Sequence, residues 1–232
     1  MTIDARLLVA LKGADLAAST ARLTLLDKMG YGDTLLGLRR FDYFDLAIET
    51  AAEPAAAVAA LKRVLDRQST FYNRNKHLYA LECRWAGETH AEGVAREELE
   101  RRFRAGLGRG SGTHGVADSG GKDPGKQFIL NGSKGFLVEV LVEDDDRSAR
   151  DAIAAKVQGD LAGLPDTRDA VVRCRHRATV WWLALLAGDP AAAEETAHRI
   201  ATTERRDAGL LYNPNYQRAE IGPARRIGPE QA

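Results

Sequence analysis

The residues best suited to chemistry in this chain are cationic. Arg173-Cys174-Arg175-His176-Arg177 concentrates four groups that can carry positive charge, and Arg39-Arg40 places two more in an otherwise apolar stretch. Guanidinium groups recognise phosphates and carboxylates through paired hydrogen bonds, so Arg39, Arg40, Arg175, His176 and Arg177 are candidates for holding a small anion or an acidic partner surface. Alternating charges on the solvent face of a strand account for the same residues, and this is the preferred reading of the cluster around His176. Asp42, Asp45 and Glu49 supply carboxylates, but no nucleophile or metal motif accompanies them.

Other motifs are weaker. The glycine-rich run from Gly106 to Gly112 lacks the Gly-Lys-Ser/Thr ending of a phosphate-binding loop and reads as a linker. The five histidines stand singly, without metal-ligand spacing, so no metal or cofactor is expected. Cys83 and Cys174 lie in dissimilar contexts and read as inert buried thiols, with one long-range disulfide as the alternative. With 33 basic and 33 acidic residues the net charge is zero, so no global field draws nucleic acid or an anionic membrane. No apolar run approaches the length of a membrane span and no signal peptide is legible, which predicts a cytoplasmic setting.

The elements that must position these residues follow from periodicity. Leu7 to Leu11 suits a buried strand, and Asp15 to Gly30 a helix with Leu16, Thr20, Leu23 and Leu26 on one face. Thr34 to Thr50 reads as two strands around a turn at Arg39-Arg40-Phe41-Asp42. Glu53-Pro54 opens a second helix with Val58, Leu61 and Leu65 buried, and His77 to Trp85 closes the unit as a strand after a turn at Phe71 to Asn75.

The order then returns. Phe136 to Val142 is a strand, and Ser148 caps a helix whose stripe is Ile153, Val157 and Leu161. Ala170 to Ala187 holds two strand candidates, and Asp189-Pro190 starts a last helix that Leu211 to Asn215 closes before a final short strand. Glu53-Pro54-Ala-Ala-Ala matches Asp189-Pro190-Ala-Ala-Ala at an offset of 136 residues, and the turn residues Asn73 and Asn213 match at 140. The fold class is therefore α+β: two ferredoxin-like β-α-β-β-α-β repeats packed as an intramolecular pseudo-dimer. The aromatic residues Phe41, Tyr43, Phe44, Trp181 and Trp182 are assigned to the shared core. Residues 1–88 form the first repeat, 89–135 a charged helix (Ala91 to Ala105, anchored by Val94, Leu99 and Phe103) with a glycine-rich linker, 136–222 the second repeat, and 223–232 a tail.

Gly30-Tyr31, Arg39, Asp45-Leu46 and Leu211-Tyr212-Asn213-Pro214 resemble marks of the PurS family, the small subunit of phosphoribosylformylglycinamidine synthase; Phe41-Asp42 stands where that family has Gly-Lys. The resemblance implies tandem PurS-like repeats in a non-catalytic structural subunit that bridges a PurL-like synthetase and a PurQ-like glutaminase in purine biosynthesis. Catalysis then resides in the partners, no cofactor is bound, and a homo-oligomer is possible. The alternative is a free-standing enzyme or a small-anion-binding protein on the same pseudo-dimer, using the arginine and histidine candidates above.

Overall fold

The computed structural model describes residues 1–107, 135–144, 146–203 and 209–227. Among these it has eight strands and five helices: β1 (Thr2–Leu11), α1 (Leu16–Asp27), β2 (Leu35–Glu49), α2 (Pro54–Arg67), β3 (His77–Trp85), β4 (Glu88–Gly93), α3 (Arg96–Leu107), β5 (Gly135–Asp144), α4 (Arg147–Ala162), β6 (Val171–Leu186), α5 (Pro190–Ala201), β7 (Gln217–Ile221) and β8 (Arg225–Ile227). The chain is thus α+β, with one antiparallel sheet in the order β4-β3-β1-β2-β6-β5-β7; β8 also pairs with β5.

The two predicted hairpins are absent among the described residues. Where two strands were expected around Arg39 to Asp42, β2 runs unbroken for 15 residues, and β6 runs for 16 across the Ala170 to Ala187 region. The physical reason is phase: Leu38, Phe44, Leu46 and Ile48 are all even-numbered, so one strand puts them on one face, and no Gly, Pro or Asn supplies a turn between them. Each strand pairs with its half's first strand and with the other long strand, β2 against β6 from Leu35–Leu185 to Glu49–Val171. The β2–β6 ladder is the seam between the halves.

Helices cross that seam. Ile153, Val157 and Leu161 of α4 pack with α2 and with Ile3, Leu7, Leu46 and Leu81, which belong to the first half's strands. Ala18, Ala21 and Leu25 of α1 belong to the same core cluster as Ala193 and Ala197 of α5 and Val138, Val140 and Leu183 of the second half's strands. The first helix of each half therefore rests against its own half's long strand at the seam, α1 against β2 and α4 against β6, and contributes to a core cluster that extends into the other half. The face expected for α1 is corrected: Leu16 and Leu23 are exposed, and Ala18, Ala21 and Leu25 are inside.

Similar local chemistry recurs in the two halves, except at α2, whose N-cap residue Glu53 makes no side-chain capping bond. The side chains of Asp15, Asp146 and Asp189 cap α1, α4 and α5 by accepting from Ala18, Ala149 and Ala192 N–H. Asp146 is the cap of α4; Ser148, expected in that role, donates its hydroxyl to Asp146 instead. The N–H of Asn75 donates to Asn73 Oδ1 at 2.9 Å, and that of Asn215 to Asn213 Oδ1 at 3.0 Å. Both turn residues also donate backbone N–H to the side chain four residues on, His77 or Gln217. Replacing Asn73 or Asn213 by Ala is expected to cost about 1 kcal/mol at either turn, since each loses one side-chain acceptor for a backbone donor; parallel urea denaturation of the two variants checks this.

The sheet's opposite face carries α3. The charged helix expected over 91–105 begins at Arg96 and runs on to Leu107, whereas 91–93 belong to the edge strand β4. Leu99 and Phe103 of α3 pack on Phe41, Leu137 and Trp182. Arg225 donates to Glu100 at 2.6 Å and Glu139 at 2.7 Å, and Arg96 also pairs with Glu139, which ties α3 to β5 and β8. The glycine-rich linker and the end of the tail fall outside the described residues.

Candidate functional site

Strand alternation divides the cationic candidates between faces. Arg40 and Arg177 lie on the four-helix face, opposite Trp181 and Phe44 in the β2–β6 register and flanking the Asp42–Thr179 pair. Arg39, Arg175 and His176 belong to the other face. The ladder shifts register between Asp45 and Leu46, where Arg175 is the extra residue of a β-bulge, so Arg175 and His176 both project to the same side.

Arg175 is engaged by carboxylates. Its Nη2 donates to Asp45 Oδ1 at 2.6 Å and lies 2.9 Å from Asp4 Oδ1, while Nε also donates to Asp45 at 3.1 Å. Asp45 is only 6% exposed, so these bonds satisfy a carboxylate withdrawn from water. Asp45→Ala is expected to destabilise the fold by about 1–2 kcal/mol, the lower part of the range for charged hydrogen bonds because Arg175 remains partly solvated; chemical denaturation measures it. His176 Nδ1 sits 3.2 Å from Glu143, which also accepts from Arg150 at 3.0 Å. The Arg39 guanidinium lies 5.4 Å from the Phe41 ring centroid. Burial lowers its pKa from the ordinary arginine value, and nearby Arg102 adds to the effect.

Arg40 is the member of the set that faces open space on both sides. Its Nε donates to Asp15 at 3.2 Å, and its side chain borders two clefts. One, of about 300 Å3, lies between the end of β1, α1 and Leu38 to Arg40. The other, of about 390 Å3, lies beside Arg177 at the end of β5. Lys12 and Arg22 at the first cleft were not among the sequence candidates. The signal was Lys12-Gly13 followed by a capping Asp, which reads only as a strand end until α1 is folded back over it.

Both cysteines are free; Cys83 is buried and Cys174 half-buried. Burial pushes the Cys83 thiol up to about 12, with Glu92 and Glu82 adding to it. It also raises Cys174 to about 11, against the opposing pull of Arg150. A thiol with a raised pKa stays protonated at neutral pH, so both should alkylate far more slowly with iodoacetamide at pH 8 in the folded protein than after unfolding in urea. Mass spectrometry of the two samples reads the difference. Among the described residues, no group of three His, Cys, Asp or Glu is placed to hold a metal ion, and no helix is long and apolar enough to cross a membrane.

Comparison of the chain with models of known protein families, with curated proteins and with solved structures finds no match.

Proposed function

We propose that the chain is a non-catalytic structural subunit of a phosphoribosylformylglycinamidine synthase-like complex, acting in the cytoplasm in ATP-dependent glutamine amidotransfer and bridging a PurL-like synthetase to a PurQ-like glutaminase. In this reading its two ferredoxin-like, PurS-like repeats form a built-in pseudo-dimer, with the hairpin of each repeat drawn out into one long strand. The observation that carries it is the β2–β6 seam, which joins the two halves into one sheet, with core clusters that mix side chains of both halves. Two copies of a small subunit that share a sheet and a core in this way would form a fused dimer, and such a dimer suits a rigid bridge between larger proteins.

Two further features support the reading. The residues that resemble the family sit at structural positions: Gly30 takes a φ of +74° after α1, where Tyr31 N–H returns to the Leu25 carbonyl, and Asn213 holds the turn into β7. At the sheet's edges, β4 exposes most of its residues, and β7 with β8 forms a short, interrupted border, so both ends offer backbone groups for strand addition by a partner. Affinity purification of the tagged chain from its native host tests the proposal. Co-purification of a synthetase and a glutaminase is the expected result; recovery of the chain alone under gentle, low-salt conditions counts against it.

A further inference from the structure

The two borders of the sheet are finished differently. At one end the chain passes from β7 to β8 through Gly222-Pro223-Ala224, so that border is broken and holds a residue without a backbone donor. At the other end β4 pairs with β3 from Trp85–Glu88 to Ala80–Gly93 without a register shift, after a two-residue turn in which Ala86 and Gly87 take φ of +43° and +87°. β4 contains no Pro, Lys or Arg, and most of its residues are exposed. A regular edge without these guards is a template for one more strand.

The direction of its backbone groups follows from the ladder. Val94 N–H donates to the Tyr79 carbonyl at 2.8 Å in the register of the β3–β4 pairs, so the even-numbered residues turn their backbone to β3. Thr89, Ala91 and Gly93 turn theirs outward, where among the described residues no strand pairs with β4. The side chains of Glu88, His90 and Glu92 share the face of Leu81 and Cys83, and Lys62 of α2 stands 3.5 Å from Glu92. Two antiparallel registers give a second β4 the fullest overlap. With the two-fold axis at His90, Glu88 of each copy meets Glu92 of the other, which sets like charges opposite each other. With the axis at Ala91, each His90 meets Glu92 of the other copy, and Thr89 meets Gly93. His90 Nε2 is already 3.3 Å from Glu92 of its own chain, so these side chains choose the register while the outward backbone groups supply the contacts.

We infer that β4 is a self-association edge, to which a second copy of this chain adds its own β4 antiparallel, centred on Ala91, so that the two sheets join across a two-fold axis. A contact of this kind is self-complementary and closes at the dimer. Hydrogen bonds to water are exchanged for hydrogen bonds between strands, each worth little net, so the dimer is weak and forms with rising concentration. The inference uses the β4 edge named above but does not rest on the bridging role, to which the border of β7 and β8 stays open.

Sedimentation equilibrium of the full chain over a wide range of concentration should show monomer passing to dimer and no further, and amide exchange at Ala91 should slow as the dimer fills. Ala91→Pro removes an outward N–H and no bond to β3, and should weaken the dimer by about tenfold or more through loss of the central pair of hydrogen bonds. Circular dichroism melting confirms that this variant is folded. Independently of it, Glu92→Lys and His90→Glu should each reduce self-association alone, since the first sets a cation against His90 and the second a carboxylate against Glu92 across the axis. Mixed together they should associate again, because each changed side chain then meets its opposite. A chain that stays monomeric over the whole range, a dimer that Ala91→Pro leaves intact, or a mixture that associates no more than its components would overturn the proposal.

Discussion

Trp182→Ala is expected to lower the stability of the protein by about 3–5 kcal/mol, a large fraction of what a domain of this size possesses. Trp182 is fully buried at the seam, with its ring centroid 4.3 Å from that of Phe41 across the β2–β6 ladder and 6.1 Å from that of Phe103 on α3. Truncation removes the side chain on which three elements converge and opens a cavity that a β-ladder cannot close by moving one strand. Trp182→Phe should cost less, about 1–2 kcal/mol, because an aromatic ring is retained and the Trp182 Nε1 has no hydrogen-bond partner to lose among the described residues. Urea denaturation followed by circular dichroism ranks the two; equal costs would mean that ring volume is not what the site requires.

Leu161→Ala is the second large effect, at about 2–5 kcal/mol. Leu161 belongs to the second half of the chain, yet its fully buried side chain lies in the cluster formed with Ile3, Leu61, Leu81 and Cys83 of the first. The loss should therefore appear as faster hydrogen exchange at amides of β1 and β3, more than 70 residues earlier in the chain. Leu25→Ala should show the reciprocal pattern, loosening β5 and β6 from a residue of the first half.

Such crossing contacts explain which parts of the fold periodicity could disclose. The apolar stripes of 54–67 and 147–162, the Asp-Pro start of the last helix and the equivalent Asn turns are local signals, and the structure carries each of them. The face of α1 is different. Leu16 and Leu23 make the stronger stripe, but the buried side is the one that turns Ala18, Ala21 and Leu25 into a core cluster built largely from second-half residues, which are distant in sequence. Nor do isolated charges inside a strand mark a turn: Arg40 and Asp42 interrupt the apolar face of β2 where they line the cleft beside Arg177. The even phase of Leu38 through Ile48 across that interruption is the signal for one continuous strand.

The candidate site follows the same logic. Arg39 and Arg40 could be selected from the sequence because two adjacent arginines in an apolar run are conspicuous. Their separation onto opposite faces is a consequence of strand formation, as is the separation of Arg177 from Arg175 and His176 at the bulge. Lys12 and Arg22 join Arg40 only because β1 stops short of β2's end and α1 folds back over the gap. No pattern within 12–22 announces that.

The joining of the two halves across the β2–β6 seam can be tested on the intact fold by placing a protease site between Leu107 and Gly135 and cutting the purified, folded chain. Size-exclusion chromatography with mass spectrometry of the peak should find both pieces together in one particle of the uncut size, released only by denaturant. Two pieces that elute separately under native conditions, each retaining its secondary structure, would contradict a shared sheet and core and with them the proposed pseudo-dimer and bridging role.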